Sequence, residues 1–489
     1  MYQENQFQQD QLQEKQFQQD WQQAFNGLDS DDDEFLLQAL ELLRQLDDSM
    51  LQSPAVLKAN LNRIIARLDR QLSEQLSAII HNPEYEALEA GWLNLRSLVD
   101  LPVNYQRVSI KLLDISWQEL SQDLNTSNTL RRSVLYNHIG NRELNTLGGQ
   151  PFGMVVVDHG ISMEMGYDDL FDDLYTLELL GRLGEICLCP FILSPAEDFF
   201  GESGADWMSD IRRVGKILEG PDYTGWQHLR ESTGSRFLGL ALPQIQLRKA
   251  YSQRQTGFMF NESSVERPGL WGSAAFAFAS IAIREFNRIS WFGFMKSRWQ
   301  ELHQGALINL PANTPKDSCL QRPQPAVKLF GNLAGFYAEQ GFIPICHSPM
   351  TDKYFFYGNN SVWQPGLSEQ DRVSCQLQVT LMSCRIAHYL KVQIRGMIGS
   401  FQTASECELH LSRWLDDYSS NLVDANESML AKYPLSNARV TVKEQQGQGS
   451  HGRFICEVLM QPQYQFDHFS GEVLLSTDLG EAAVSRRAS

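Results

Sequence analysis

Few residues of this 489-residue chain stand in patterns that could carry out chemistry. Asp158-His159 follows an apolar run at 151–157, the kind of strand end where α/β enzymes often keep acid–base groups. Neighbours on a strand point to opposite faces, so the two cannot share a pocket, and no nucleophile can be tied to them. Cys187 and Cys189 lie in Ile186-Cys-Leu-Cys-Pro-Phe-Ile192, where alternation predicts one strand face carrying both. The eight cysteines form no Cys-x-x-Cys pair, and no spaced histidine pair lies near these two, so buried free thiols are expected rather than a metal site. Arg385, His388 and Lys391 recur one helical turn apart. Such a polar stripe could bind an anion; intersubunit or intrahelical contact is the favoured reading. No phosphate-binding loop, His-Glu-x-x-His or Gly-x-Ser-x-Gly motif occurs. No catalytic residue, cofactor or metal is expected.

Gly148-Gly149-Gln150 matches the tripeptide that peptide-release factors use, but that chemistry needs a chain able to hold ribosomal RNA. Here 59 acidic side chains oppose 41 basic ones, and a net charge of −18 repels nucleic acid and anionic membrane surfaces alike. The glycines are read instead as backbone freedom before a strand. No run approaches the roughly 18 apolar residues of a bilayer-spanning helix. The first twenty residues lack the basic and apolar regions of a signal peptide, so a cytoplasmic protein is expected.

The elements that would position these residues fall into four stretches. Residues 1–33 form a tail in which eleven of the first 25 residues are Gln; it reads either as a disordered Gln-rich leader or, since Phe17, Trp21 and Phe25 keep helical spacing, as a short helix docking into a partner's groove. Residues 34–100 read as helices. Ser53-Pro54 and Asn82-Pro83 are start signals, and Leu57, Leu61, Ile64, Ile65, Leu68, Leu72, Leu76 and Ile79 make one apolar stripe that something must cover. Residues 101–400 read as an α/β core: 107–112 alternates as a half-buried strand, apolar runs follow at 151–158, 187–193 and 237–242, and helical patterns lie at 168–183, 275–286, 325–340 and 375–397. Residues 401–489 hold late strands at 438–443, 453–458 and 471–475. With no evident local helix over them, Val440, Val442, Phe454, Cys456 and Val458 are expected to sit in edges awaiting strands of another protomer.

Several blocks, in order, resemble one family: the large subunit of the type VI secretion contractile sheath (TssC, or VipB). They include His81-Asn-Pro-Glu-Tyr-Glu-Ala-Leu-Glu-Ala-Gly-Trp92, Val108-Ser-Ile-Lys-Leu-Leu-Asp-Ile115, Leu147-Gly-Gly-Gln-Pro-Phe-Gly153 and Leu242-Pro-Gln-Ile-Gln-Leu-Arg248. Trp271-Gly-Ser-Ala-Ala-Phe276, Ser383-Cys-Arg-Ile-Ala-His-Tyr-Leu-Lys391 and Tyr433-Pro-Leu435 continue the series. The chain departs from the family pattern at Gln150, usually Glu, at Gln244, usually Arg, and at Ser252, usually Gly.

The resemblance implies a phage-tail-sheath-like α/β subunit that pairs with a small subunit (TssB, or VipA). The pairs would stack as a helical tube around an inner tube of Hcp rings, assembled on a baseplate and disassembled after contraction by the AAA+ ATPase ClpV. It gives the tail helix an ATPase-recognition role and the late strands a role in linking protomers. Two alternatives stand beside it: a sheath-like paralogue serving as an assembly factor, and a cytoplasmic α/β enzyme.

Overall fold

The computed structural model describes residues 53–164, 170–201, 206–251, 254–255, 258–260, 262, 267–292, 308, 320–347, 353–397, 404–420, 433–444, 454–462 and 473–478. The chain divides into two compact units, residues 1–87 with 250–269, and residues 88–249 with 270–489.

In the first unit, helix α1 (Pro54–Ile80) starts where the sequence says it should: the Ser53 hydroxyl accepts from the amide of Val56, and Pro54 fills the first helical position. Leu57 and Ile80 are buried, whereas Leu61, Ile65, Leu68, Leu72 and Ile79 along the same stripe are exposed. Helix α2 (Pro83–Val99) opens on Asn82, whose side-chain oxygen accepts from the amides of Glu84 and Tyr85; its residues from Leu88 onward belong to the second unit. The fully buried Glu262 carboxylate accepts from the amides of Tyr251 and Gly269 and lies 3.4 Å from the His81 ring, tying the inserted segment to the helical part.

The second unit is built on a five-stranded sheet: β1 (Val155–Ile161), β2 (Phe191–Pro195), β3 (Leu238–Leu242), then β9 (Phe342–His347) and β10 (Tyr354–Phe356), in that spatial order. The first four run parallel and β10 returns antiparallel. Parallel strands joined by crossovers must be covered on both faces, and side chains alternate accordingly. Phe191, Leu193, Leu238, Leu240, Leu242 and Phe342 enter one cluster with α3 (Trp117–Thr126), α4 (Asp173–Cys187) and α6 (Thr224–Glu231). Ile192, Ala241, Ile343 and Ile345 enter another with α7 (Ala274–Ile289) and the start of α10 (Leu377–Met397). At the centre of the first cluster Trp226 stacks on Phe342 with ring centroids 5.2 Å apart. On the other face Gly239 leaves room for α10: a Cβ there would sit 2.5 Å from Leu377 Cδ1.

A small sheet places β4 (Ile245–Arg248) between β7 (Leu270–Gly272) and β8 (Leu320–Pro325). A third sheet, β11 (Leu435–Glu444), β12 (Phe454–Pro462) and β13 (Val473–Asp478), is antiparallel with β12 in the middle. It packs on α10 and α11 (Ala404–Asp416): Val440, Val442, Cys456, Val458 and Met460 share a cluster with Met382, Ile386, Leu390, Cys407, Leu411 and Leu415.

Three expectations change. The strand expected over 187–193 begins later, because α4 continues to Cys187 and stops where Leu188 turns left-handed (φ 54°). Cys187 therefore ends a helix and Cys189 sits in the turn after it. Residues 107–112 form no ladder among the described residues. The late strands, expected bare, have two local helices over them; those helices begin more than twenty residues earlier, outside the reach of a local sequence pattern.

Candidate functional site

Asp158 and His159 point apart, as strand geometry requires. The carboxylate of Asp158 faces α2, where a Cβ on Gly91 would approach its Oδ2 to 3.1 Å. His159 turns toward Asp173 and Trp117. Its Nε2 lies 3.1 Å from Asp173 Oδ2, and its ring stacks on Trp117 at 4.2 Å. Asp173 also accepts from the Trp117 indole at 2.7 Å and the Ser162 amide at 3.0 Å. Burial alone would raise the Asp173 pKa; the hydrogen bonds from His159, Ser162 and Trp117 overcome it and hold the carboxyl below its ordinary value. With these three hydrogen bonds Asp173 ties α4 to β1 and α3.

Gly148-Gly149-Gln150 is shaped by backbone proximity. Gly148 has φ +82°, and a Cβ on Gly149 would lie 2.3 Å from the carbonyl oxygen of Glu143. The Gln150 amide donates to Glu143 Oε2 at 2.9 Å, and Lys111 Nζ donates to Oε1 at 2.7 Å. The Lys111 bond and then the Gln150 amide lower the Glu143 pKa. Sequence reasoning did not find this knot; a lysine and a glutamate 32 positions apart leave no local signal.

It also missed a pair joining two of the blocks that carried the resemblance. Arg248 Nε donates to Glu89 Oε1 at 2.8 Å, with Nη2 3.5 Å from Oε2, and Arg248 is 4% exposed. A buried guanidinium needs such a partner, so the glutamate of α2 and the arginine ending β4 depend on each other.

The polar stripe on α10 is engaged inside the chain. Arg385 Nε donates to the Tyr389 hydroxyl at 3.0 Å, an i,i+4 contact, and its guanidinium lies over the Tyr389 and Phe286 rings. His388 is buried, and neither ring nitrogen makes a hydrogen bond of good geometry. Burial first, and the Arg385 charge second, push its pKa down to about 3; the backbone of Leu188 and Cys187 at the end of α4 opposes the shift weakly. Lys391 is half-buried and close enough to Cys187 to lower that thiol, which burial nevertheless raises to about 12. The seven described cysteines are free and buried.

In the late strands Val440, Val442, Cys456 and Val458 face α10 and α11. Phe454 begins β12, which is paired on both sides. Among the described residues no further strand pairs with the outer edges of β11 and β13, apart from a bridge between Leu435 and Ser419 at the start of β11. Phe17, Trp21 and Phe25 lie outside the described residues. Among the described residues no group of three or more His, Cys, Asp or Glu could hold a metal ion, and no helix is long and apolar enough to cross a membrane.

The described side chains thus define a scaffold: two sheets clamped by shared helices, with the suspicious polar residues spent on internal ties. Two family models cover nearly the whole of the described chain, "EvpB/VC_A0108, tail sheath N-terminal domain" over residues 62–363 and "EvpB/VC_A0108, tail sheath gpW/gp25-like domain" over residues 367–479. The chain belongs to the EvpB/VC_A0108 tail sheath family, the large-subunit family of type VI secretion sheaths that its sequence blocks resemble. Within it, the chain is similar to the "Type VI secretion system sheath protein TssC1" of Pseudomonas aeruginosa, with 28% identity over 463 residues and 89% of each chain covered. Among solved structures, a sheath tail protein from Desulfitobacterium hafniense matches 63% of this chain and 61% of its own, at 9% identity and a TM-score of 0.29, too low to carry an argument.

Proposed function

We propose that this chain is the large subunit of a type VI secretion contractile sheath, pairing with a small sheath subunit (TssB/VipA) and stacking with neighbouring protomers around an Hcp inner tube on a baseplate. The observation that carries the reading is the two consecutive tail sheath domains, which fill residues 62–363 and 367–479. The structure suits a mechanical role. Its polar ties are internal, while the α1 stripe and Leu88 and Trp92 of α2 are left bare; apolar surface of that kind is what a permanent partner covers. Contraction needs no chemistry in this chain, because the energy would lie in the better contacts of the contracted lattice.

Linkage between protomers would use the outer edges of β11 and β13, with Val440, Val442, Cys456 and Val458 holding the sheet that presents them. Arg385 and Lys391, the half-buried members of the stripe, would face a neighbour, with His388 packed beneath. Phe17, Trp21 and Phe25 would anchor the disassembly ATPase ClpV. The protein would work in the cytoplasm, without nucleic acid or membrane insertion.

Co-expression with the cognate small subunit, followed by negative-stain electron microscopy of the lysate, tests the reading. Tubules with a cogwheel cross-section support it. A discrete small particle that ignores the partner sinks it.

A further inference from the structure

After α2 the chain turns through a loop in which the Tyr105 hydroxyl donates to the Leu98 carbonyl at 2.8 Å, then runs to Ser116, the N-cap of α3. Between these points the sequence reads as a strand, and burial alternates over its first four residues, with Val108 and Ile110 half-buried and Ser109 and Lys111 exposed, before three exposed residues follow at 112–114. Ile110 packs against the cluster of Leu98, Phe276 and Ala279. The ladder is missing. The last main-chain bond before the segment is from the Val108 amide to the Asn104 carbonyl at 3.2 Å, and the next donor is the Ser116 amide, accepted by the Glu119 carboxylate at 2.9 Å. Among the described residues, no amide or carbonyl from Ser109 to Ile115 makes a hydrogen bond. Beside this unfilled row Leu112 is 71% and Leu113 49% exposed.

Edges are normally guarded. β1, at the end of the five-stranded sheet, carries Asp158 and a register irregularity between Val156 and Gly160. The segment 109–115 has one charge that could guard its first half, Lys111, and that amine is held by Glu143 and lies over the Phe152 ring. Asp114 is the other charge of the segment and is exposed, so a single carboxylate is what guards the second half of the row.

We propose that residues 109–115 are the acceptor edge for one β-strand of a second, different chain. This rests on the function proposed above, under which that chain is the small sheath subunit. Seven residues span about 23 Å, the length of one ordinary strand. Main-chain pairing supplies the linkage, and apolar residues at every second position of the incoming strand cover Leu112 or Leu113. A second copy offering the same segment fits less well, because like-with-like pairing is two-fold and closes at a dimer.

Amide hydrogen exchange on the full-length chain, alone and in complex with the co-expressed small subunit, tests this. The 109–115 amides exchange rapidly in the free chain and slow by at least 100-fold in the complex. Adjacent strand amides point to opposite sides. Of Leu112→Pro and Leu113→Pro, one therefore weakens the complex at least tenfold while both leave the melting temperature of the free chain unchanged. A complex in which 109–115 still exchange rapidly, or in which neither proline matters, overturns this inference and leaves the sheath reading standing. No complex at all overturns both. Slow exchange in the free chain, from an internal partner or from self-association, overturns the assignment of the edge to another protein.

Discussion

Two tryptophans mark the contrast between the sheet core and α2. Trp226 is 1% exposed, stacked on Phe342 and edged by Phe199. Trp92 on α2 is 62% exposed, with Leu88 and Val99 of the same helix similarly bare. Both rings carry a large apolar area, yet one is spent within the chain and the other is not. The core has what it needs to fold; the helices before it hold more apolar surface than the described chain covers. A tail sheath subunit would be expected to divide its apolar surface in this way, with folding and assembly drawing on different residues.

The comparison breaks most visibly at Trp226. Trp226→Ala should cost about 3–5 kcal/mol by denaturant unfolding, the usual range for emptying a buried aromatic site. If the loss is under about 1 kcal/mol, the clamp around the central sheet is not what holds it. Gly239→Val tests the same core by overfilling. A Cβ there meets Leu377 at 2.5 Å, Ile343 at 2.9 Å and Ile192 at 3.1 Å, so a loss of about 2–3 kcal/mol is expected.

A pH titration sharpens the picture where the core meets the C-terminal sheet. His388 has a folded pKa of about 3 against about 6.5 in an unfolded chain. Between those values the unfolded state binds the extra proton, so stability is full above about pH 6.5 and falls as pH drops toward 3. The slope is at most about 1.4 kcal/mol per pH unit. His388→Leu should flatten that part of the unfolding profile; an unchanged profile would show that the imidazole is not buried neutral. The smallest effect on folding is expected at Trp92: Trp92→Ala should shift stability by no more than about 0.5 kcal/mol, yet weaken association with the small subunit at least tenfold in a pull-down. A large loss of stability in the free chain would erase the distinction between the two tryptophans.

Helix starts were the most legible part of the sequence. Ser53-Pro54 and Asn82-Pro83 cap α1 and α2 because both signals act over three or four residues. The strands at 155–161 and 238–242 were visible as apolar runs between turn residues. β9 was not, since Pro344 interrupts its run, and the end of α4 was misplaced because Leu188 adopts a left-handed turn with no glycine to announce it. The strand expected at 107–112 is not formed among the described residues, and Leu112 on its apolar face is exposed, because pairing depends on a neighbour that the pattern does not contain. At the site level, the opposed directions of Asp158 and His159 followed from strand geometry alone. Glu89–Arg248 and Lys111–Glu143 did not, because each joins residues brought together only by the complete fold. The cover over the late strands was missed for the same reason.

Helix α10 serves two cores at once. Leu377 and Leu381 pack under the central sheet, and Met382, Ile386, Leu390 and Ile394 pack under the C-terminal one. Twenty-one residues of helix make a rod about 30 Å long, stiff along its axis because every turn is braced by hydrogen bonds. A pull on the outer strand of the C-terminal sheet therefore travels to the central sheet along one strut, with little slack to absorb it. Displacement of that strand would reach the central sheet as displacement, not as local stretching.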